Sequence, residues 1–150
     1  MAKVVPGFAF ALTCDSGFIL SVATHQDKQY GDLIWVARDV YDETPPIDAV
    51  GTNQGWRWPV YFPTRAALRR RLILPVGTAP IPTPLSRLPV LRSGGRELGW
   101  RAVEFDGELW RQVPDVAAHP GLPILQIIND TLLKERVVSN WRPAQIWCGS

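Results

Sequence analysis

Three apolar runs separated by short polar turns occupy the first 41 residues, and this alternation constrains the fold more than any other feature of the chain. The runs cover residues 5–13, 18–23 and 33–41, and a turn of the Asp-Ser-Gly type at 15–17 separates the first two. Successive side chains of a strand point to opposite faces, and in the third run both alternating sets are apolar. The pattern therefore predicts a meander of strands in which the third is central.

The stretch that follows predicts an edge strand and a short helix. Residues 56–62 again alternate, but Pro59 has no N–H to donate to a sheet, which favours an edge strand or a broken one. Thr64 offers an N-cap for a short arginine-rich helix over 65–71. A strand over 72–76 then leads into a proline-rich crossing.

The dipeptide Asp106-Gly107 is the clearest turn signal, because glycine adopts the positive φ that a two-residue hairpin turn requires. Its predicted arms are residues 99–105 and 108–113. The expected cross-strand pairs are Val103 with Trp110 and Trp100 with Val113.

A C-terminal helix is predicted over about residues 123–139, where apolar residues recur at near-helical spacing. Pro123 suits its first turn, and residues 129–131 offer a point where the helix can start again. The 150 residues match the usual size of one domain, so we expect a single domain over 1–150. The expected fold class is α+β, a mostly antiparallel, strongly curved β-sheet with one short helix and a C-terminal helix.

Charge is distributed unevenly along the chain. Residues 1–54 carry a net charge of −4, residues 55–101 carry +8, and the remainder carries −2. This layout favours contact with charged protein surfaces and disfavours nucleic acid, whose binding domains are usually strongly basic throughout. No apolar run approaches the roughly 20 residues of a membrane helix, and the N-terminus lacks the features of a signal peptide. We therefore expect a cytoplasmic protein without a membrane partner.

Residues able to carry chemistry are few, and no enzyme is predicted. Cys14 with His25 or His119 is the best candidate for the nucleophile and base of a small hydrolase. The favoured interpretation is instead that Cys14 is a buried residue of a strand. Cys148 can pair with Cys14 only if the two ends of the chain are neighbours. The cysteines lack the short spacing of a zinc site, and no phosphate-binding loop is present. We expect no metal and no cofactor.

The arginine-rich helix supports an alternative function, a small nucleic-acid-binding module. Its arginines would contact phosphates, and Trp56 and Trp58 would stack on bases. The favoured interpretation is instead that core tryptophans lie beside a solvated helix. The basic residues concerned are Arg65, Arg69, Arg70 and Arg71.

The order of several segments resembles immunity family twenty-six of bacterial polymorphic-toxin systems, over roughly residues 4–113. The segments are PGFAFAL at 6–12, DSG at 15–17, DLIWV at 32–36, LPVG at 74–77 and the late tryptophan hairpin. The arginine-rich helix and the helical tail have no counterpart in that family. The resemblance implies a small cytoplasmic protein that binds a cognate toxin domain and neutralises it by occlusion; it supplies no site residues.

An acidic loop is the predicted contact with such a partner. A run of carboxylates is usually only a solvated face, but an inhibitor needs an exposed complementary patch and no reactive group. Aromatic side chains beside the loop would supply central binding energy. The predicted partner-binding residues are Asp39, Tyr41, Asp42, Glu43, Asp48 and Trp56.

Overall fold

Two antiparallel sheets form the framework of the protein in the computed structural model, which describes residues 3–95 and 99–146. The larger sheet has the strand order β4-β3-β2-β1-β5 and the smaller one β6-β7-β8. The strands are β1 (Phe8–Cys14), β2 (Gly17–Asp27), β3 (Gly31–Tyr41), β4 (Trp56–Phe62), β5 (Leu74–Thr78), β6 (Leu91–Gly95), β7 (Gly99–Phe105) and β8 (Trp110–Gln112). The α-helices of the described residues are α1 (Ala49–Thr52), α2 (Thr64–Arg69) and α3 (Asp130–Val138). The predicted α+β class with mostly antiparallel strands is confirmed.

Both faces of the larger sheet are covered, as the alternating apolar residues of β2 and β3 require. One face packs beneath α2 and α3, and Ile19, Ile34 and Val36 belong to its cluster. The other face packs beneath α1 and the crossing after β5, and it contains Leu20 and Ala37. The third strand lies between β2 and β4, so its predicted central position is confirmed.

The predicted long C-terminal helix is wrong in its first half. The helix covers Asp130–Val138, and it begins where Asn129 accepts a hydrogen bond from the Leu132 N–H at 2.9 Å, within the predicted restart point. Residues 122–128, here called the bridging segment, are extended instead. Their backbone exchanges hydrogen bonds with Tyr61 on β4 and Arg92 on β6. These bonds to two sheet edges replace the helical ones and override the near-helical apolar spacing.

The predicted edge position of β4 is confirmed, since it is the last strand of the larger sheet. The bridging segment lies along its outer side, where the Tyr61 N–H donates to Gln126 O at 3.1 Å and Tyr61 O accepts from the Ile128 N–H at 3.0 Å. The same segment contacts β6, so it ties the smaller sheet to the larger one.

The hairpin at Asp106 forms, but its predicted register is wrong. Val103 pairs with Gln112, and Trp110 pairs with Phe105, because the loop contains four residues rather than two. The Asp106 carboxylate accepts hydrogen bonds from the Glu108 and Leu109 N–H groups at 2.9 Å each. This side-chain turn competes successfully with the two-residue turn that the glycine favours.

The arginine-rich helix is shorter than predicted and starts one residue earlier, at Thr64. It ends at Arg69, and the chain leaves it through Arg71, whose φ of 59° lies in the left-handed region. The next strand, β5, begins at Leu74 rather than residue 72. None of the helices within residues 3–95 and 99–146 combines the length and apolar character needed to cross a membrane.

Candidate functional site

Carboxylates gather at one end of the larger sheet, where β3 ends and β2 begins. Phe18 pairs with Tyr41, so the turn before β2 lies beside the loop that follows β3. Asp42 and Glu43 of that loop are exposed, and so is Asp15 of the turn. We call Asp15, Asp39, Asp42 and Glu43 the acidic end.

Two of the predicted partner-binding residues form the rigid base of the acidic end. Asp39 accepts a hydrogen bond from the Gln54 N–H at 3.0 Å, which joins the end of β3 to the loop before β4. Tyr41 is half-buried against the apolar cluster beneath α1. Burial, and then the charge of Asp39, raise the pKa of the Tyr41 hydroxyl, so the ring stays neutral and can donate a hydrogen bond at physiological pH.

Trp56 also lies at this end of the sheet. It is the first residue of β4 and pairs with Ala37 on β3, beyond a register shift between Trp35 and Ala37. The shift turns its ring toward the cluster beneath α1, whereas Trp58 is buried on the opposite face. Uninterrupted alternation over residues 56–62 would place both tryptophans on one face, and the bulge separates them.

Asp48 is not part of the acidic end. It is exposed at the start of α1, and its carboxylate does not cap that helix. The preceding residue, Ile47, packs against Gly77 of β5, where an added Cβ would lie 3.2 Å from Ile47 Cδ1. Because β5 is three strands away from β3, about 14 Å across the sheet, the contact of Ile47 places the neighbouring Asp48 toward the β5 side.

Sequence reasoning missed two groups at this end. Asp15 was interpreted only as a turn residue, although the pairing of a meander brings its turn beside the end of β3. Arg38 and Arg57 were counted only in the charge totals. The Arg57 guanidinium donates to the carbonyl oxygens of Ala37 at 3.2 Å and Arg38 at 2.9 Å. The charge of the middle third is therefore not one basic surface, since Arg57 is anchored to the backbone and Arg92 is fully buried.

The Cys14–His25 pair proposed for a hydrolase is not assembled. Cys14 pairs with Gly17 at one end of β2, and His25 lies near the other end, about 26 Å away at the usual rise of a strand. The His25 ring is instead used structurally, with Nε2 3.1 Å from Ser86 O and Nδ1 2.8 Å from Thr24 Oγ1. His119 closes a local turn by accepting from the Gly121 N–H at 3.2 Å. Cys148 lies outside the described residues.

The tryptophans proposed to stack on bases are not beside the arginine-rich helix. Trp58 is 3% exposed and packs edge-to-face on Trp141, with ring centroids 5.5 Å apart, which confirms it as a core residue. Trp56 lies at the far end of β4 from α2, about 20 Å away. The arginines of α2 therefore lack the aromatic platform that the alternative function requires.

No group of three His, Cys, Asp or Glu side chains with the arrangement of a metal site occurs within residues 3–95 and 99–146. Comparisons with protein-family models, with curated proteins and with solved structures find no match. The resemblance to immunity family twenty-six thus stays a prediction.

Proposed function

We propose that the protein is an immunity protein, which binds one cognate toxin domain in the bacterial cytoplasm and neutralises it by occluding its active site. The observation that carries this proposal is the acidic end, a group of carboxylates presented where the interior strands β2 and β3 meet one end of the larger sheet. The proposal needs no catalytic residue, metal or cofactor in this chain.

Exposed carboxylates without internal partners support a basic binding partner. Within the described part of the chain, no hydrogen bond or ion pair involves the side chains of Asp15, Asp42 or Glu43; the one ion pair is between Arg111 and Asp106. Carboxylates in such a position remain hydrated until a cationic surface replaces the water, and they accelerate the encounter with that surface. A toxin that cleaves nucleic acid presents a basic cleft of this kind.

Two aromatic residues support the same surface. Tyr41 and Trp56 are half-buried, so each ring is already held by the cluster beneath α1 while part of it faces solvent. Rings held in this way lose little conformational entropy on binding, which is why tyrosine and tryptophan are frequent at the centres of interfaces. The carboxylates of the acidic end thus supply electrostatic attraction, and the adjacent rings of Tyr41 and Trp56 supply apolar contact.

Strong curvature of the larger sheet is part of the proposal. Register shifts interrupt the β1–β5, β2–β3 and β3–β4 pairings, and bulges of this type increase the local twist of a sheet. A curved sheet would place the acidic end at the border of a concave surface, which would fit a convex partner.

Affinity capture from the native cell tests the proposal. The tagged wild-type protein is compared with a double variant, Asp42→Lys with Glu43→Lys, and with a control reversal, Glu104→Lys, on an exposed position of β7. One captured toxin domain is expected with the wild-type protein and with the control. Its affinity, measured on the purified domain, should fall at least about tenfold in the double variant, and the salt dependence of binding should weaken.

A further variant separates the two acidic positions that the fold holds apart. Asp48→Lys is expected to change affinity less than the double variant, because Asp48 lies toward β5. Capture of ribosomes or nucleic acid alone would overturn the proposed function. Equal binding of the toxin domain by the wild-type protein and the double variant would exclude the acidic end as the contact.

A further inference from the structure

A small cleft between the end of α3 and the start of β4 is lined by three arginines. Its volume is about 360 Å³, and its lining consists of Arg38, Arg57, Trp58, Asn140, Trp141 and Arg142. No carboxylate is among these residues. The described residues that line the cleft therefore supply three positive charges and no negative one.

Arg57 is held in place by three groups from two parts of the fold. Its guanidinium donates to Ala37 O and Arg38 O on β3, and to Asn140 Oδ1 after α3 at 3.1 Å. An arginine has five N–H donors, so two remain after these three bonds. The side chain is thus fixed before any ligand arrives, and its remaining donors do not have to be ordered on binding.

The hydrogen bonds that hold Arg57 do not account for the two arginines beside it, Arg38 and Arg142. Within the described residues, the guanidinium groups of Arg38 and Arg142 form neither a hydrogen bond nor an ion pair with another side chain, and both side chains are exposed. Burial, and then repulsion from Arg38, lower the pKa of Arg57, while Asp39 on the neighbouring position acts in the opposite direction. Bringing these cations together costs free energy that an anion in the cleft would recover.

The floor of the cleft is rigid and apolar. Trp58 and Trp141 meet edge-to-face, and the Trp58 indole N–H donates to Trp141 O at 3.2 Å. The guanidinium of Arg136 covers one face of the Trp141 ring at 3.9 Å from its centroid. A site with this floor excludes water from one side of a bound anion, which strengthens its hydrogen bonds to the arginines.

We propose that this cleft binds the phosphate group of a small molecule. Guanidinium groups match the oxygens of phosphate in geometry, and three of them suit a dianion better than a singly charged carboxylate. A nucleic-acid strand would need a continuous basic track, but the arginines of α2 lie at the opposite end of β4. The site requires no toxin partner, and no residue of the acidic end lines it, although Arg38 is next to Asp39 on β3.

Calorimetric titration at constant ionic strength tests the site, with inorganic phosphate and phenyl phosphate as probes. The wild-type protein is expected to bind both saturably with one-to-one stoichiometry. Arg38→Gln and Arg142→Gln each remove charge-assisted hydrogen bonds and should weaken binding about tenfold. Both positions are exposed, so the variants are expected to fold; their thermal unfolding is measured to verify this.

Arg87→Gln and Arg101→Gln are the matched controls, since they remove exposed arginines outside the cleft. Each control should leave the affinity within about twofold of the wild-type value. Absence of saturable binding, or equal losses in the controls and the cleft variants, would overturn the site. Tighter, one-to-one displacement of phenyl phosphate by a single-stranded oligonucleotide would overturn the small-molecule assignment and point to nucleic acid.

Discussion

The two halves of the molecule are stabilised in different ways. The larger sheet is held by apolar side chains that alternate along its strands, and residues such as Phe10, Leu20 and Ile34 are completely buried. The smaller sheet packs on it through an apolar cluster of Leu33, Tyr61, Leu91 and Val103, whereas a buried arginine joins the smaller sheet to the C-terminal segments. Arg92 is fully buried on β6, and its guanidinium donates to Leu122 O at 3.0 Å and to Pro143 O.

This difference explains why one half is easier to predict from sequence. Apolar burial produces a periodic sequence pattern, whereas hydrogen bonds of a single buried arginine do not. Apolar burial is non-directional, so any apolar residue on the correct face contributes, and the strand period becomes visible. A buried guanidinium instead satisfies particular carbonyl groups, and one residue in the correct place is enough. The larger sheet is expected to tolerate conservative apolar changes, whereas the contact between β6 and the C-terminal segments depends on a single residue.

Phe10→Ala is expected to have the largest effect on stability. The ring is completely buried, and its centroid lies 6.0 Å from that of Phe8 and 5.6 Å from that of Phe62. Its removal leaves a cavity in the sheet core and should lower the free energy of unfolding by about 4 kcal/mol, measured by urea denaturation. Thr13→Ala, at an exposed position of the same strand, is the control; equal losses in the two variants would contradict the account of this core.

Arg92→Met tests how firmly β6 is joined to the C-terminal segments. The change removes the donors to Leu122 O and Pro143 O and also the stacking of the guanidinium on Trp100, 4.2 Å from the ring centroid. Buried carbonyls that lose charged donors should make the protein less stable by about 3 kcal/mol. Hydrogen exchange should increase first in the bridging segment and the smaller sheet, while β2 and β3 keep their protection.

Arg101→Met is the matched control, because Arg101 is exposed on the neighbouring strand, where it pairs with Ser93. Its expected effect is within about 0.5 kcal/mol of zero. If both substitutions have the same effect, or if hydrogen exchange increases uniformly after Arg92→Met, then Arg92 does not join β6 to the C-terminal segments in this way.

The parts of the fold that the sequence predicted are those governed by period and turn chemistry. The faces of β2 and β3, the edge position of β4 and the cap at Asn129 follow from local residues. The bridging segment does not, because its backbone bonds are made to Tyr61 and Arg92, which are distant in sequence. Near-helical spacing of apolar residues cannot distinguish a helix from an extended segment that packs against two sheet edges.

The candidate site was predictable only in part, for a related reason. The carboxylates after β3 are adjacent in sequence, so a charge count finds them, but the separation of Asp48 depends on where α1 crosses the sheet. The arginines of the cleft come from β3, β4 and the turn after α3, and no sequence window contains all three. A site assembled from distant segments leaves no local motif.

The smallest expected effect concerns His25, which lies at the junction between β2 and the crossing that leads to the second half. Burial lowers the pKa of the ring below its usual 6.5, and the bond to Ser86 O opposes this shift only in part. The unfolded chain therefore binds more protons than the folded one as the pH falls below about 6.5, and the folded state loses stability over that window. This contribution is fully present above pH 6.5 and is lost as the pH falls through the lowered pKa.

Thermal unfolding of the wild-type protein and of His25→Gln, measured between about pH 7.5 and 5, isolates this contribution. The wild-type melting temperature should fall more steeply with decreasing pH than that of His25→Gln. A wild-type curve parallel to that of His25→Gln would show that the junction does not depend on a neutral His25.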